Sequence, residues 1–133
     1  MKSLTEIIND LDNLLDNELP DKLSKIILEH FLINFDNEGF NGQKWKKRKK
    51  SKKGEENKPV LGGRTRTMGR NLIIKSATMN DITIAVNDEI ENWAWVHQYG
   101  TDIMPQRQFM GDDSILEQLI EDEIIKEIDR LWD

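Results

Sequence analysis

Apolar residues recur with a helical period at both ends of this chain and with a period of two in its middle. That change of period confines the fold to the α+β class. At the N-terminal end Leu4, Ile7, Ile8, Leu11, Leu14 and Leu15 share one helical face. Ser3-Leu4-Thr5-Glu6 reads as a capping box, in which the serine hydroxyl accepts from the third amide and the glutamate reaches back. Pro20 has no N–H to donate and clashes with the preceding turn. It should interrupt the pattern and seed a second helix at its own first turn. Leu23, Ile26, Ile27, His30 and Phe31 continue the stripe to about Phe35, and Asn37 to Gly42, with two glycines, should end it. At the other end Leu116, Leu119, Ile120, Ile124, Ile128 and Leu131 form a stripe that Ile115, Ile125 and Trp132 widen. Ser114-Ile115-Leu116-Glu117 offers a second capping box, and Asp112 and Asp113 suit the positive end of that helix dipole.

In the middle, Leu72 to Met79 and Ile82 to Asn87 read as two strands joined by a two-residue turn at Asn80-Asp81. In the second strand Ile82, Ile84 and Val86 share one face, opposite Thr83, Ala85 and Asn87. The expectation is a single α+β domain over residues 1–133. Helices at 3–36 and 112–132 pack on one small antiparallel sheet within a region spanning 61–111, and a flexible basic loop occupies 37–60.

Charge is segregated along this plan. Residues 1–43 carry nine acids and three bases, residues 44–58 nine bases and two acids, and residues 112–133 nine acids and two bases. The basic stretch is Lys44, Trp45, Lys46, Lys47, Arg48, Lys49, Lys50, Ser51, Lys52 and Lys53. One reading is phosphate contact with nucleic acid, with Trp45 stacking on a base. Another is docking onto an acidic protein surface, and a third is a solvated loop that offsets the acidic body. The stretch contains no glycine-rich phosphate loop. The chain has no cysteine, so it has neither disulfides nor thiolate chemistry. With two histidines, a zinc site would need carboxylates to reach four ligands, and no metal or cofactor is expected. No apolar run approaches the ~18–20 residues of a membrane span. Met1-Lys2-Ser3-Leu4 leads directly into the amphipathic pattern, which points to synthesis in the cytoplasm.

The densest local signal lies at Trp93-Ala94-Trp95-Val96-His97-Gln98-Tyr99-Gly100, followed by Pro105-Gln106-Arg107-Gln108-Phe109-Met110-Gly111. His97 is the one residue here that invites a catalytic reading, as the base of a hydrolase. A general base needs an orienting partner, and neither Gln98, Tyr99 nor Asp102 stands at a spacing that predicts a dyad. The structural reading has His97 partly buried and hydrogen-bonded at a helix–loop junction, and His30 as a core-edge histidine. Trp95 and Tyr99 share a face if the segment is helical. Trp93, Trp95 and Tyr99 serve either as core anchors or as an exposed patch for a protein partner. Pro105 to Phe109 should be extended, with Phe109 inward and Arg107 pairing with a carboxylate of the last helix or of a neighbouring subunit.

These two runs resemble the signature of the phage virion morphogenesis family, the tail completion proteins of Mu-like and P2-like tailed phages. The family pattern reads Tyr-Ala-x-x-His-Gln-x-Gly, then Pro-x-Arg-x-Phe-x-Gly. Ala94, His97, Gln98, Gly100, Pro105, Arg107, Phe109 and Gly111 match it, and Trp93 stands where the family has tyrosine. Gly42-Gln43-Lys44-Trp45 resembles the family's glycine turn and tryptophan, and Leu61 to Leu72 occupies the place of its segment before the first strand. The resemblance covers most of residues 31–133, and the first helix has no counterpart in it. It implies a non-enzymatic assembly protein that self-associates into a ring and docks onto tail-tube, terminator or connector proteins. Such a protein works in the host cytoplasm during assembly and stays in the virion if retained. The residues it nominates for scaffold or interface are Trp93, Trp95, His97, Gln98, Tyr99, Gly100, Pro105, Arg107 and Phe109.

Overall fold

The structure, a computed structural model, describes residues 2–47, 60–62, 64 and 67–132. The fold is α+β. Helix α1 (Leu4–Asn13) runs through a π-helical turn (Leu14–Glu18) into α2 (Leu19–Asn37). Strands β1 (Gly39–Phe40) and β2 (Gln43–Lys44) follow, then a 3-10 turn (Val60–Gly62) and the short α3 (Thr67–Arg70). Strands β3 (Leu72–Ala77) and β4 (Ile82–Val86) precede a second 3-10 turn (Asp88–Ile90), α4 (Glu91–Tyr99) and α5 (Ser114–Arg130). The strands form two separate two-stranded sheets, β1-β2 and β3-β4, where a single sheet was expected. Among the described residues no helix is long and apolar enough to cross a membrane. The chain divides into two compact units, one of Met1–Leu28, Ile74–Ile84 and Asp112–Asp133, the other of Glu29–Ile73 and Ala85–Gly111.

In the first unit the expected capping box is present. Ser3 Oγ accepts from the Glu6 amide at 3.1 Å, and Glu6 Oε2 accepts from the Ser3 amide at 3.3 Å. Pro20 lies in the first turn of a second helix, as expected, but the chain does not break before it. The Leu19 amide reaches back five residues to the Leu14 carbonyl, and this wider turn carries the helix past a proline that has no amide to donate. Leu14, Leu19 and Leu23 form a buried cluster against which Ile82, Ile120, Ile124 and Leu131 pack. Lys22 Nζ donates to the buried Glu127 at 2.9 Å. That bond holds the Glu127 carboxyl below its ordinary pKa. Ile115, Ile125 and Trp132 do not widen the core stripe but lie exposed.

Two local expectations shift by one residue. The cap of α5 is Asp113, not Ser114. Asp113 has extended backbone and its Oδ1 accepts from the Leu116 amide at 2.7 Å. The β3-β4 turn centres on Met79-Asn80, since Thr78 and Asp81 exchange both backbone hydrogen bonds, at 2.9 and 3.2 Å. Asp81 is drawn out of the turn by its neighbours. Its carboxylate accepts from Ser76 Oγ at 2.6 Å and Thr83 Oγ1 at 2.7 Å, and these bonds hold its pKa down.

In the second unit the flexible loop expected over 37–60 begins instead as an ordered hairpin. Asn41 and Gly42 have φ of 50° and 82°, the two positive values of a type I′ turn, and pair Phe40 with Gln43 and Gly39 with Lys44. Trp45 follows as a buried residue whose amide donates to the Glu38 carbonyl at 2.7 Å. Lys44, Lys46 and Lys47 are exposed. Arg48, Lys49, Lys50, Lys52 and Lys53 lie outside the described residues.

The assignment of the α5 cap makes a discriminating prediction. Asp113→Ala should lower stability by about 1 kcal/mol, whereas Ser114→Ala should cost no more than a few tenths. Urea unfolding of the two variants measures this, and equal losses would return the cap to Ser114.

Candidate functional site

The two motif runs come together in the second unit, and the residue that joins them is Gln98. Helix α4 buries Ala94, His97 and Gln98 on one face. It ends at Gly100, whose φ is +74°; a Cβ there would stand 2.9 Å from the Gln106 amide nitrogen, so only glycine permits the chain to fold back this closely. Thr101 completes the reversal. Its amide donates to the Met104 carbonyl at 2.8 Å, and its hydroxyl accepts from the Met104 amide at 2.9 Å. The Arg107 amide then reaches the His97 carbonyl at 2.7 Å.

Beyond that point, where an extended segment was expected, the chain has no regular secondary structure and bends at Met110, and it pairs with none of the described strands. Side chains supply its ladder instead. Gln98 Oε1 accepts from the Phe109 amide at 3.0 Å and the Met110 amide at 3.2 Å, while Gln98 Nε2 donates to the Met110 carbonyl at 2.7 Å. Asn34 Nδ2 donates to the Phe109 carbonyl at 2.9 Å, and Trp45 Nε1 to the Gln108 carbonyl at 2.8 Å. Phe109 points inward, as expected, and is fully buried. Its ring lies 5.5 Å from that of Phe35, which in turn meets Trp45 edge-on at 5.6 Å.

Trp45 is therefore a core residue of this segment. The stacking role expected of it in the basic loop is overturned, because its indole is buried and its N–H is committed to Gln108. Arg107 is buried too, and its Nε donates to the Lys46 carbonyl at 2.9 Å. Sequence reasoning missed Asn34 altogether. The signal was available, since Asn34 follows His30 by four residues and Phe31 by three. An amide at that spacing on an apolar helix face needs a buried partner.

The aromatic residues divide between the two readings. Trp93 is 48% exposed and Tyr99 67% exposed, so neither is a core anchor. Trp95 is half-buried, stacks on Tyr99 at 5.5 Å and hydrogen-bonds to Glu91 at 3.4 Å. His97 is buried, as expected, but its side chain is not fully hydrogen-bonded. Nδ1 has no partner among the described residues, and the Trp93 ring covers the imidazole edge-on at 5.2 Å. Burial, and secondarily the charge of Arg107, push the His97 pKa below its ordinary 6.5. Among the described residues no cluster of His, Cys, Asp or Glu could hold a metal ion. No known protein family, curated protein or solved structure matches the chain.

Replacing Gln98 with alanine leaves two buried amides without an acceptor. At about 1–3 kcal/mol for each unsatisfied group, Gln98→Ala should destabilise the second unit by roughly 3 kcal/mol. Hydrogen exchange at the Phe109 and Met110 amides reports it directly, and unchanged protection would refute the role given to Gln98.

The His97 shift sets a pH dependence. The folded state holds the imidazole neutral, so the unfolded chain binds the extra proton first as pH falls. The stabilisation is complete above the unfolded pKa of 6.5 and is lost as pH drops from there through the folded value. Thermal melts between pH 7.5 and 5.5 should show a falling midpoint, and His97→Gln should flatten that slope.

Proposed function

We propose that this chain is a phage virion assembly protein that completes the tail or joins head to tail. It acts by self-association and by docking onto tail-tube, terminator or connector proteins. The observation that supports this reading is the use the fold makes of the motif residues. Ala94, Gln98, Gly100, Arg107 and Phe109 are engaged with backbone and core, so they form a rigid platform. Trp93 and Tyr99 stand out beside it, and residues of these types are the usual anchors of protein interfaces. His97 lacks an orienting partner on Nδ1, which favours a scaffold role over that of a catalytic base. Assembly would take place in the host cytoplasm, with the protein carried in the virion if it is retained.

The nucleic-acid reading now rests on the lysines and Arg48 without Trp45, which is buried, and the Lys44 ammonium already donates to the Asn37 carbonyl at 2.7 Å. Electron microscopy of an induced lysate from a lysogen lacking this gene separates the alternatives. Filled heads accompanied by unjoined or malformed tails are expected. Normal virions would overturn the assembly role.

A further inference from the structure

We propose that α1 is a docking ridge for another protein, which presents an amphipathic helix with apolar seam residues and Lys or Arg along its flanks. This inference is independent of the assembly reading, because α1 lies in the first unit and outside the motif-bearing segment.

Helix α1 is strongly amphipathic, yet it contains no buried residue. Its apolar arc is split lengthwise. Leu14, just beyond its C-terminal end, is buried in the core cluster, and Ile7 and Leu11 are half-buried. Leu4, Ile8 and Leu15 are exposed by 73%, 49% and 37%. Leu4, Ile8, Leu11 and Leu15 follow one another at spacings of four, three and four, the alternation of a coiled-coil seam. The ridge is preformed. The Ser3–Glu6 capping box fixes its start, and the π-helical turn joins it without a break to α2. A helix of this length gains most of its stability from covering its apolar face, and here the outer half of that face is uncovered.

Charge identifies the occupant. Between residues 2 and 18 the acids are Glu6, Asp10, Asp12, Asp16 and Glu18, five against the single base Lys2, a net charge of −4. Lys2 is already paired with Asp10 at 2.8 Å. At 100° per residue, Asp12 of α1 lies beside the exposed Leu4–Ile8 edge, Asp16 follows Leu15 in the π-helical turn, and both carboxylates are exposed. A second α1 laid on this ridge would bring two sets of carboxylates together, and an anionic bilayer would be repelled likewise. A helix with basic flanks meets the leucines with its seam and the carboxylates with its charges.

Fluorescence anisotropy of the full chain with two labelled helical peptides tests this. Both carry leucine at the seam positions; one is flanked by lysine and the other by glutamate. The lysine peptide should bind and the glutamate peptide should not. Binding should weaken between 0.1 and 1 M salt, where the screening length falls from about 10 to about 3 Å. Leu4→Ser/Ile8→Ser, which touches no buried residue, should weaken it at least tenfold with the circular dichroism spectrum unchanged. Asp12→Asn/Asp16→Asn should weaken it and remove part of the salt dependence. Equal binding of both peptides would overturn the charge argument. Absence of binding would overturn the proposal, and sedimentation that shows a dimer abolished by Leu4→Ser/Ile8→Ser would assign the ridge to a second copy of the chain.

Discussion

The second unit depends on one carboxamide. The segment from Gln108 to Met110 is irregular and largely buried, and among the described residues no strand pairs with it to receive its backbone hydrogen bonds. Each buried amide or carbonyl left open would cost about 1–3 kcal/mol. Gln98 supplies an acceptor for two amides and a donor for one carbonyl, which is what a facing strand would have offered. Glutamate would lose the donor and bury a charge, and alanine would offer nothing. Asn34 and Trp45 continue the same ladder from α2 and from the end of β2, so three elements remote in sequence are fixed to one stretch of backbone. The packing of Phe35, Trp45 and Phe109 follows from that placement.

What was legible in the sequence was local. The capping box at Ser3, the helices at the two ends and the strand pair all rest on neighbours within a turn or a pleat, and they appear where expected, although Leu4, Ile8, Leu119 and Ile128 of the apolar stripes lie exposed. The Asn41-Gly42 hairpin was equally local, and it was misread because two glycines after a helix also fit a helix terminus and the lysines beyond resemble a solvated loop. Asp113 and Ser114 both have side chains able to cap α5, and only the extended backbone at Asp113 decides between them. The site was hidden for a different reason. Asn34 and Phe109 are 75 residues apart, and Trp45 and Gln108 are 63 apart. No periodicity connects them, and the reversal at Gly100 that makes the contacts possible leaves only a glycine as its trace.

His97 and Gln98 show why adjacent motif residues need not share a role. Both are buried polar side chains on α4. The carboxamide of Gln98 makes three hydrogen bonds to Phe109 and Met110, whereas His97 contributes its carbonyl to the Arg107 amide and its Nδ1 has no partner among the described residues. A neutral imidazole tolerates this far better than a charged one, which is why the low pKa and the open nitrogen occur together.

The helices at the two ends of the chain are acidic and the stretch after β2 is basic, and such segregation leaves like charges repelling one another within each stretch. That cost is tolerable when the surfaces serve contact. On α1 the uncovered leucines lie beside carboxylates, while on α4 the exposed aromatics flank a platform whose polar groups are turned inward. The two surfaces differ in chemistry and belong to different units, so one partner suited to both would need basic flanks for the first and an apolar pocket for the second. Two distinct partners would meet those demands more simply than one.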